Sequence, residues 1–172
     1  MRHRIILPLS LLLHNGLDAQ VTVPDPAFAA ILETIIPDAI TGNVLDTLHA
    51  DVTGLTTMFV GYEGISDLDG VQYFDSLKYL NCDHNDLVGL PTLPPGLIML
   101  QCHNNQLAAL PALPATLTHL FCHGNAFTAL PALPPALVSL DCHACPLTGL
   151  PALPPSLTGL DCFNAQLEGI SK

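Results

Sequence analysis

The sequence predicts a solenoid of the α/β superhelix class, with a parallel β-sheet on its concave side and extended, polyproline-like chain on its convex side. Three observations carry that expectation. From Leu77 the chain divides into consecutive twenty-residue blocks, "LKYLNCDHNDLVGLPTLPPG" to an incomplete "LTGLDCFNAQLEGI". Each complete block has apolar residues at the same six places, which in the second block are Leu97, Leu100, Cys102, Leu107, Leu110 and Leu113. A block this short cannot bury them alone, so each needs a neighbour above and below. Lastly, the 16 prolines among 172 residues exceed the usual share of about 5%, and most recur at fixed spacing.

The elements follow in chain order. "MRHR" is basic, "IILPLSLLL" is a short apolar run, and "HNGLDAQ" is a polar tail with Ala19 as the residue before cleavage. That is the layout of a secretory signal peptide over residues 1–19, and the run is too short to span a bilayer. Residues 20–54 are expected to form a small helical N-terminal cap. In "VPDPAFAAILETIIP", Asp25 suits an N-cap, Pro26 the first helical position, and Phe28, Ile31, Leu32, Ile35 and Ile36 share a face ending at Pro37. "GNVLDTLHADV" is expected to add a second helix. Residues 55–172 form the solenoid of six repeats, the first a longer unit from Leu55 with Met58, Val60, Ile65 and Leu68 in register. Repetition of L-x-x-L-x-[LC]-x-x-N-x-L at this period marks a leucine-rich-repeat solenoid. Within each block, strand alternation turns Leu100 and Cys102 inward and Met99, Gln101 and His103 outward. The asparagines that follow (Asn85, Asn105, Asn125) turn the chain and bond adjacent backbone. The prolines of "LPALPP" exclude a regular helix on the return.

This alternation governs the Cys-His pairs 102–103, 122–123 and 142–143. Neighbours on a strand face opposite ways, so a pair cannot grip one ion between them, and zinc needs about four converging ligands. Cys82, Cys102, Cys122, Cys142 and Cys162 form one core column with parallel Cβ vectors. That geometry disfavours bridging and leaves them as free, buried thiols. Cys145 stands where a turn asparagine belongs. Outside, His103, His123 and His143 form a column on the concave sheet, near His119, Phe121, Asp141, Asp161 and Phe163. Copying one block accounts for such a stripe without a site; imidazoles that titrate near neutrality and share an ion are the alternative. No metal site or cofactor is assigned, and no catalytic constellation emerges: there is no G-x-S-x-G elbow and no phosphate-cradling Gly-rich loop.

The blocks from Leu77 resemble the short bacterial class of leucine-rich repeats, L-x-x-L-x-x-x-x-N-x-L-x-x-L-P-x-L-P, found in secreted effectors of the IpaH and YopM families. The unit from Leu55 is similar to the internalin type. The resemblance extends from about Val21 to the end. Two departures matter: Glu63, Cys145 and Ala165 replace the turn asparagine, and the sequence stops at Lys172 where IpaH-type ubiquitin ligases continue into a catalytic domain, so that activity is not expected to carry over. The resemblance implies a non-enzymatic, secreted or cell-surface module that recognises a protein or surface polysaccharide on its concave face. The alternative is the recognition part of a secreted effector enzyme without its catalytic domain. The concave residues expected to carry binding are Tyr79, Asn81, Asp83, Met99, Gln101, His103, His119, Phe121, His123, Asp141 and His143. A net charge of −11 argues against nucleic acid and anionic membrane surfaces, and no membrane insertion is expected after signal removal. Because the last block breaks off at "LEGISK", either a truncated gene product or end-to-end association through an uncapped C-terminal edge is expected.

Overall fold

The computed structural model describes residues 19–165. The signal segment, apart from Ala19, and the end of the last block from residue 166 lie outside the described residues.

Asp25 caps helix α1 (Pro26–Ile35), accepting from the N–H groups of Ala27 and Phe28 at 2.9 Å. Phe28, Leu32 and Ile36 are buried, with Ile31 and Ile35 partly so. The cap differs from the expected pair of helices. Strand β1 (Gln20–Thr22) and strand β2 (Ile40–Thr41) each pair antiparallel with β3 (Val44–Asp46), giving the order β1-β3-β2. The stretch expected as the second helix therefore divides into β3 and a five-residue helix α2 (Ala50–Gly54). Pairing over a long sequence separation outweighs weak local helix preference there.

The remainder is a leucine-rich-repeat solenoid of stacked coils. Six three-residue strands line one side: β4 (Thr57–Phe59), β5 (Tyr79–Asn81), β6 (Met99–Gln101), β7 (His119–Phe121), β8 (Ser139–Asp141) and β9 (Gly159–Asp161). They run parallel in sequence order, each displaced from its neighbour by one block without a bulge, so that Leu80, Leu100, Leu120, Leu140 and Leu160 stand in file. The ladder continues past the strands: Cys102 N–H donates to Phe121 O at 2.9 Å and Asn104 N–H to His123 O at 2.9 Å. This extension carries the regular coil geometry through the Cys-His pairs.

The convex side is extended chain closed by tight turns, with Leu117 N–H donating to Pro114 O at 3.0 Å and the equivalent bond at each later block. From it Leu110 reaches the core and Leu113 is half-buried. Inside, Cys82, Cys102, Cys122 and Cys142 are 0% exposed, and all six cysteines are free.

Each turn asparagine joins two coils. Asn125 Nδ2 donates to Cys102 O, Cys122 O and His123 O at 3.0, 2.9 and 3.3 Å, while Oδ1 accepts from Leu107 N–H at 3.0 Å. Asn85 and Asn105 repeat the pattern. At Cys145 only a sulfur contact of 3.5 Å to Cys122 O replaces it. The residue before this position is left-handed in every coil: Tyr62, His84, Asn104, Gly124, Ala144 and Asn164 all have φ between 50° and 64°.

A second junction is absent from the sequence reading. Oδ2 of Asp25 accepts from Ser66 N–H and Oγ at 2.8 Å and from Asp67 N–H at 3.2 Å, fastening the cap to the first repeat.

Candidate functional site

The concave side presents three outward rows. The first runs Thr57, Tyr79, Met99, His119, Ser139, Gly159, and the second Phe59, Asn81, Gln101, Phe121, Asp141, Asp161. The third lies just past the strand ends, where the ladder places Asp83, His103, His123, His143 and Phe163 in succession. All eleven residues expected from the sequence thus fall on these rows. Tyr79 is exposed, Asp83 is buried at 8% exposure, and the rest are partly exposed.

The third row is the most organised part of the surface. The rings of His103 and His123 stack with centroids 4.3 Å apart and 21° between planes, and those of His123 and His143 at 4.2 Å and 14°. His84 meets His103 edge-on at 5.3 Å and stacks on Tyr62 at 4.1 Å. Ring stacking at the coil spacing hides the imidazoles more than an isolated surface histidine: the side chains of His103 and His123 are 16% and 19% exposed. Sequence reading missed His84 and Tyr62 because strand alternation does not extend to the left-handed position they occupy.

Carboxylates sit against this column at two places. Asp83 Oδ2 lies 3.0 Å from His103 Nε2 and 3.4 Å from His84 Nδ1. Asp141 stands between two rings, with Oδ1 at 2.6 Å from His143 Nδ1 in a hydrogen bond and Oδ2 at 3.1 Å from His123 Nδ1. The second contact is close but not aligned for hydrogen bonding, so His123 Nδ1 is buried without a hydrogen-bond partner, as are His84 Nδ1 and His103 Nδ1. Burial, then the adjacent His123 ring, holds His103 below the ordinary 6.5. Burial likewise lowers His123 against the opposing pull of Asp141. Burial thus favours the neutral imidazole in both rings, the form in which one ring nitrogen keeps a lone pair.

The Cys-His pairs behave as strand alternation requires, with sulfurs inside and imidazoles outside. Burial pushes the Cys82, Cys102 and Cys122 thiols well up and Cys142 up to about 12. Those sulfurs are unsuited to nucleophilic work. The sequence reading excluded ligands next to one another along the chain and kept stacked imidazoles sharing an ion as the alternative. The convergent groups lie on adjacent coils: Asp83, His84 and His103 in one cluster, and His123, Asp141 and His143 in another, each with ligand atoms within 4.8 Å of one another. Among the described residues no helix is long and apolar enough to cross a membrane.

No protein-family model matches the sequence, and neither does any curated protein. Solved structures do. YopM from Yersinia enterocolitica WA-314 is 35% identical with a TM-score of 0.62, covering 64% of this chain and 24% of its own. A Shigella effector leucine-rich-repeat domain is 29% identical with a TM-score of 0.62, covering 66% of this chain and 51% of its own. YopM from Yersinia pestis, a leucine-rich effector protein, is 36% identical with a TM-score of 0.57, covering 58% and 30%. The chain thus spans about half, or less, of the length of the structures it matches. With the parallel sheet and the period of twenty, these likenesses make the chain a leucine-rich-repeat solenoid similar to bacterial effector repeats, a fold consistent with a protein-binding module.

Proposed function

We propose that this is an exported, non-enzymatic recognition module that holds a protein partner against its concave sheet. One observation carries the reading: inward positions of the sheet repeat, whereas the outward positions of its first two rows vary from β5 to β8. Inside, leucine fills the central position of every strand from β5 to β9. Outside, the first row changes from Tyr79 to Met99, His119 and Ser139, and the second from Asn81 to Gln101, Phe121 and Asp141. Stacking alone leaves the outward side chains unconstrained, so a mixture of aromatic, amide, thioether and acidic groups on a shared face is what a particular partner would read. Lys78 is the one Lys or Arg between residues 19 and 165, which favours a partner with a basic surface. Proteins meet both needs better than neutral polysaccharides.

Tyr79→Ala with Phe121→Ala tests this without touching the histidine column. Affinity capture from host-cell extract, quantified against wild type, should lose the same specific protein when both aromatics are removed. Capture undiminished by the double substitution would place binding elsewhere.

A further inference from the structure

We propose that His123, Asp141 and His143 form a binding site for a borderline divalent transition metal such as Zn²⁺, with Asp161 as the fourth donor. The site does not depend on the reading of the concave face as a protein-binding surface.

Asp141 lies within 3.1 Å of one Nδ1 and 2.6 Å of the other, and Asp161 Oδ2 is 4.0 Å from His143 Nδ1. Two imidazole nitrogens and two carboxylate oxygens suit zinc, nickel or copper(II); calcium and magnesium prefer oxygen alone, and copper(I) prefers sulfur. The two carboxylates would neutralise a divalent ion. The three principal ligand atoms lie within 4.8 Å of one another, against roughly 3.3 Å around a tetrahedral ion with bonds of 2.0–2.1 Å. Side-chain rotation of these partly exposed residues can close that gap.

The nitrogens are also available. His123 Nδ1 is buried and lacks a hydrogen-bond partner, an arrangement that usually costs stability and that a bound cation would relieve. His143 donates its Nδ1 proton to Asp141 Oδ1 at 2.6 Å. Binding an ion through Nδ1 would leave the ring proton on Nε2, the other tautomer of the imidazole. The second cluster is a poorer candidate. Asn104 Nδ2 donates to His84 Nε2 at 3.0 Å, which keeps the ring proton on Nδ1, the atom that faces Asp83.

Fold geometry made this site. His123 and His143 share one row a coil apart, and Asp141 lies two residues before His143 on the same face, so ligands eighteen and twenty residues apart converge. Duplicating the block copied the histidine, and the change from Phe121 to Asp141 at the equivalent position supplied the carboxylate between two rings.

The test is titration of chelator-treated full-length protein with ZnCl2, followed by calorimetry and thermal unfolding, with MgCl2 as the selectivity control. Saturable zinc binding is expected, weakened about tenfold or more in Asp141→Asn and in His143→Ala, with no response to magnesium. Circular dichroism checks that both variants fold; Asp141→Asn is nearly isosteric and decides the matter should His143→Ala unfold. Cobalt substitution separates this site from the thiols, since a nitrogen-oxygen site gives visible d–d bands without a thiolate charge-transfer band in the near ultraviolet. Absence of saturable zinc binding, binding unchanged in Asp141→Asn, or a thiolate band would each overturn the assignment.

Discussion

Replacing Asn125 by alanine removes a side chain that makes four contacts to backbone atoms of two coils. Its Oδ1 accepts from Leu107 N–H, whose residue is fully buried, and its Nδ2 is shared among the carbonyls of Cys102, Cys122 and His123. Orphaning one buried donor costs about 1–3 kcal/mol, and the two Nδ2 hydrogens contribute about 1 kcal/mol each in net hydrogen bonding. Water entering the gap recovers part of that, leaving an expected loss of about 3 kcal/mol, a large share of the roughly 5–15 kcal/mol available to a domain. With a urea slope of about 2 kcal/mol per molar, the midpoint should fall by about 1.5 M. Far-ultraviolet circular dichroism is the probe, since the chain has no tryptophan. Thr128→Ala, at an exposed position on the next stretch of the same coil, is the control. The converse substitution, Cys145→Asn, should raise the midpoint, because Phe127 N–H would then find the acceptor that Leu107 has one coil earlier. If Asn125→Ala moves the midpoint no further than Thr128→Ala, the asparagine ladder does not hold the coils together.

Two further outcomes follow from groups already described. Burial would raise the Asp25 carboxyl, but bonds from Phe28, Ser66 and Asp67 outweigh it and hold the group below its ordinary 3.8. A depressed folded value means the ionised carboxylate supports the fold fully above about pH 4 and loses that support as pH falls through the folded value. Acid titration of thermal stability should therefore drop more steeply for wild type below pH 4 than for Asp25→Asn, which should be less stable at pH 7; parallel curves would exclude the junction. Native-state labelling with an aromatic disulfide reagent should modify Cys162 first, since it alone among the six cysteines is not fully buried, and the other five only on unfolding. Rapid modification of Cys82 or Cys102 would contradict the inward column.

The amount of this structure legible in the sequence varied with how each feature is encoded. The coil was legible because six apolar places recur at one period, and stacking is the one way a twenty-residue block can cover them. Leu100 and Cys102 facing in, with Met99, Gln101 and His103 facing out, followed from strand alternation alone. The cap was read only in part. Asp25, Pro26 and the apolar face of α1 are local signals, whereas β1 and β3 are three-residue strands that meet across more than twenty positions and leave no periodic trace. Position-by-position reading also underrated the histidines. A ring on one coil shows nothing of the ring above it until the repeat spacing, strand direction and left-handed turn are combined. Asp83, expected to be a surface contact, is instead nearly enclosed beside His84 and His103. Asp141 was expected near the histidine column, but the approach of its two carboxylate oxygens to Nδ1 atoms on two coils depends on side-chain conformations that the period of twenty does not encode.

Because every strand from β5 to β9 is shifted from the next by the same twenty residues, excising residues 97–116 would set Leu80 directly beside Leu120 with the seams still matched. The encoding DNA can therefore lose or gain whole periods by unequal recombination and still specify a foldable chain, provided the cut respects the period. Length becomes a heritable variable separate from stability, and the outward rows, with whatever ligands lie across adjacent coils, are what each such exchange would rewrite.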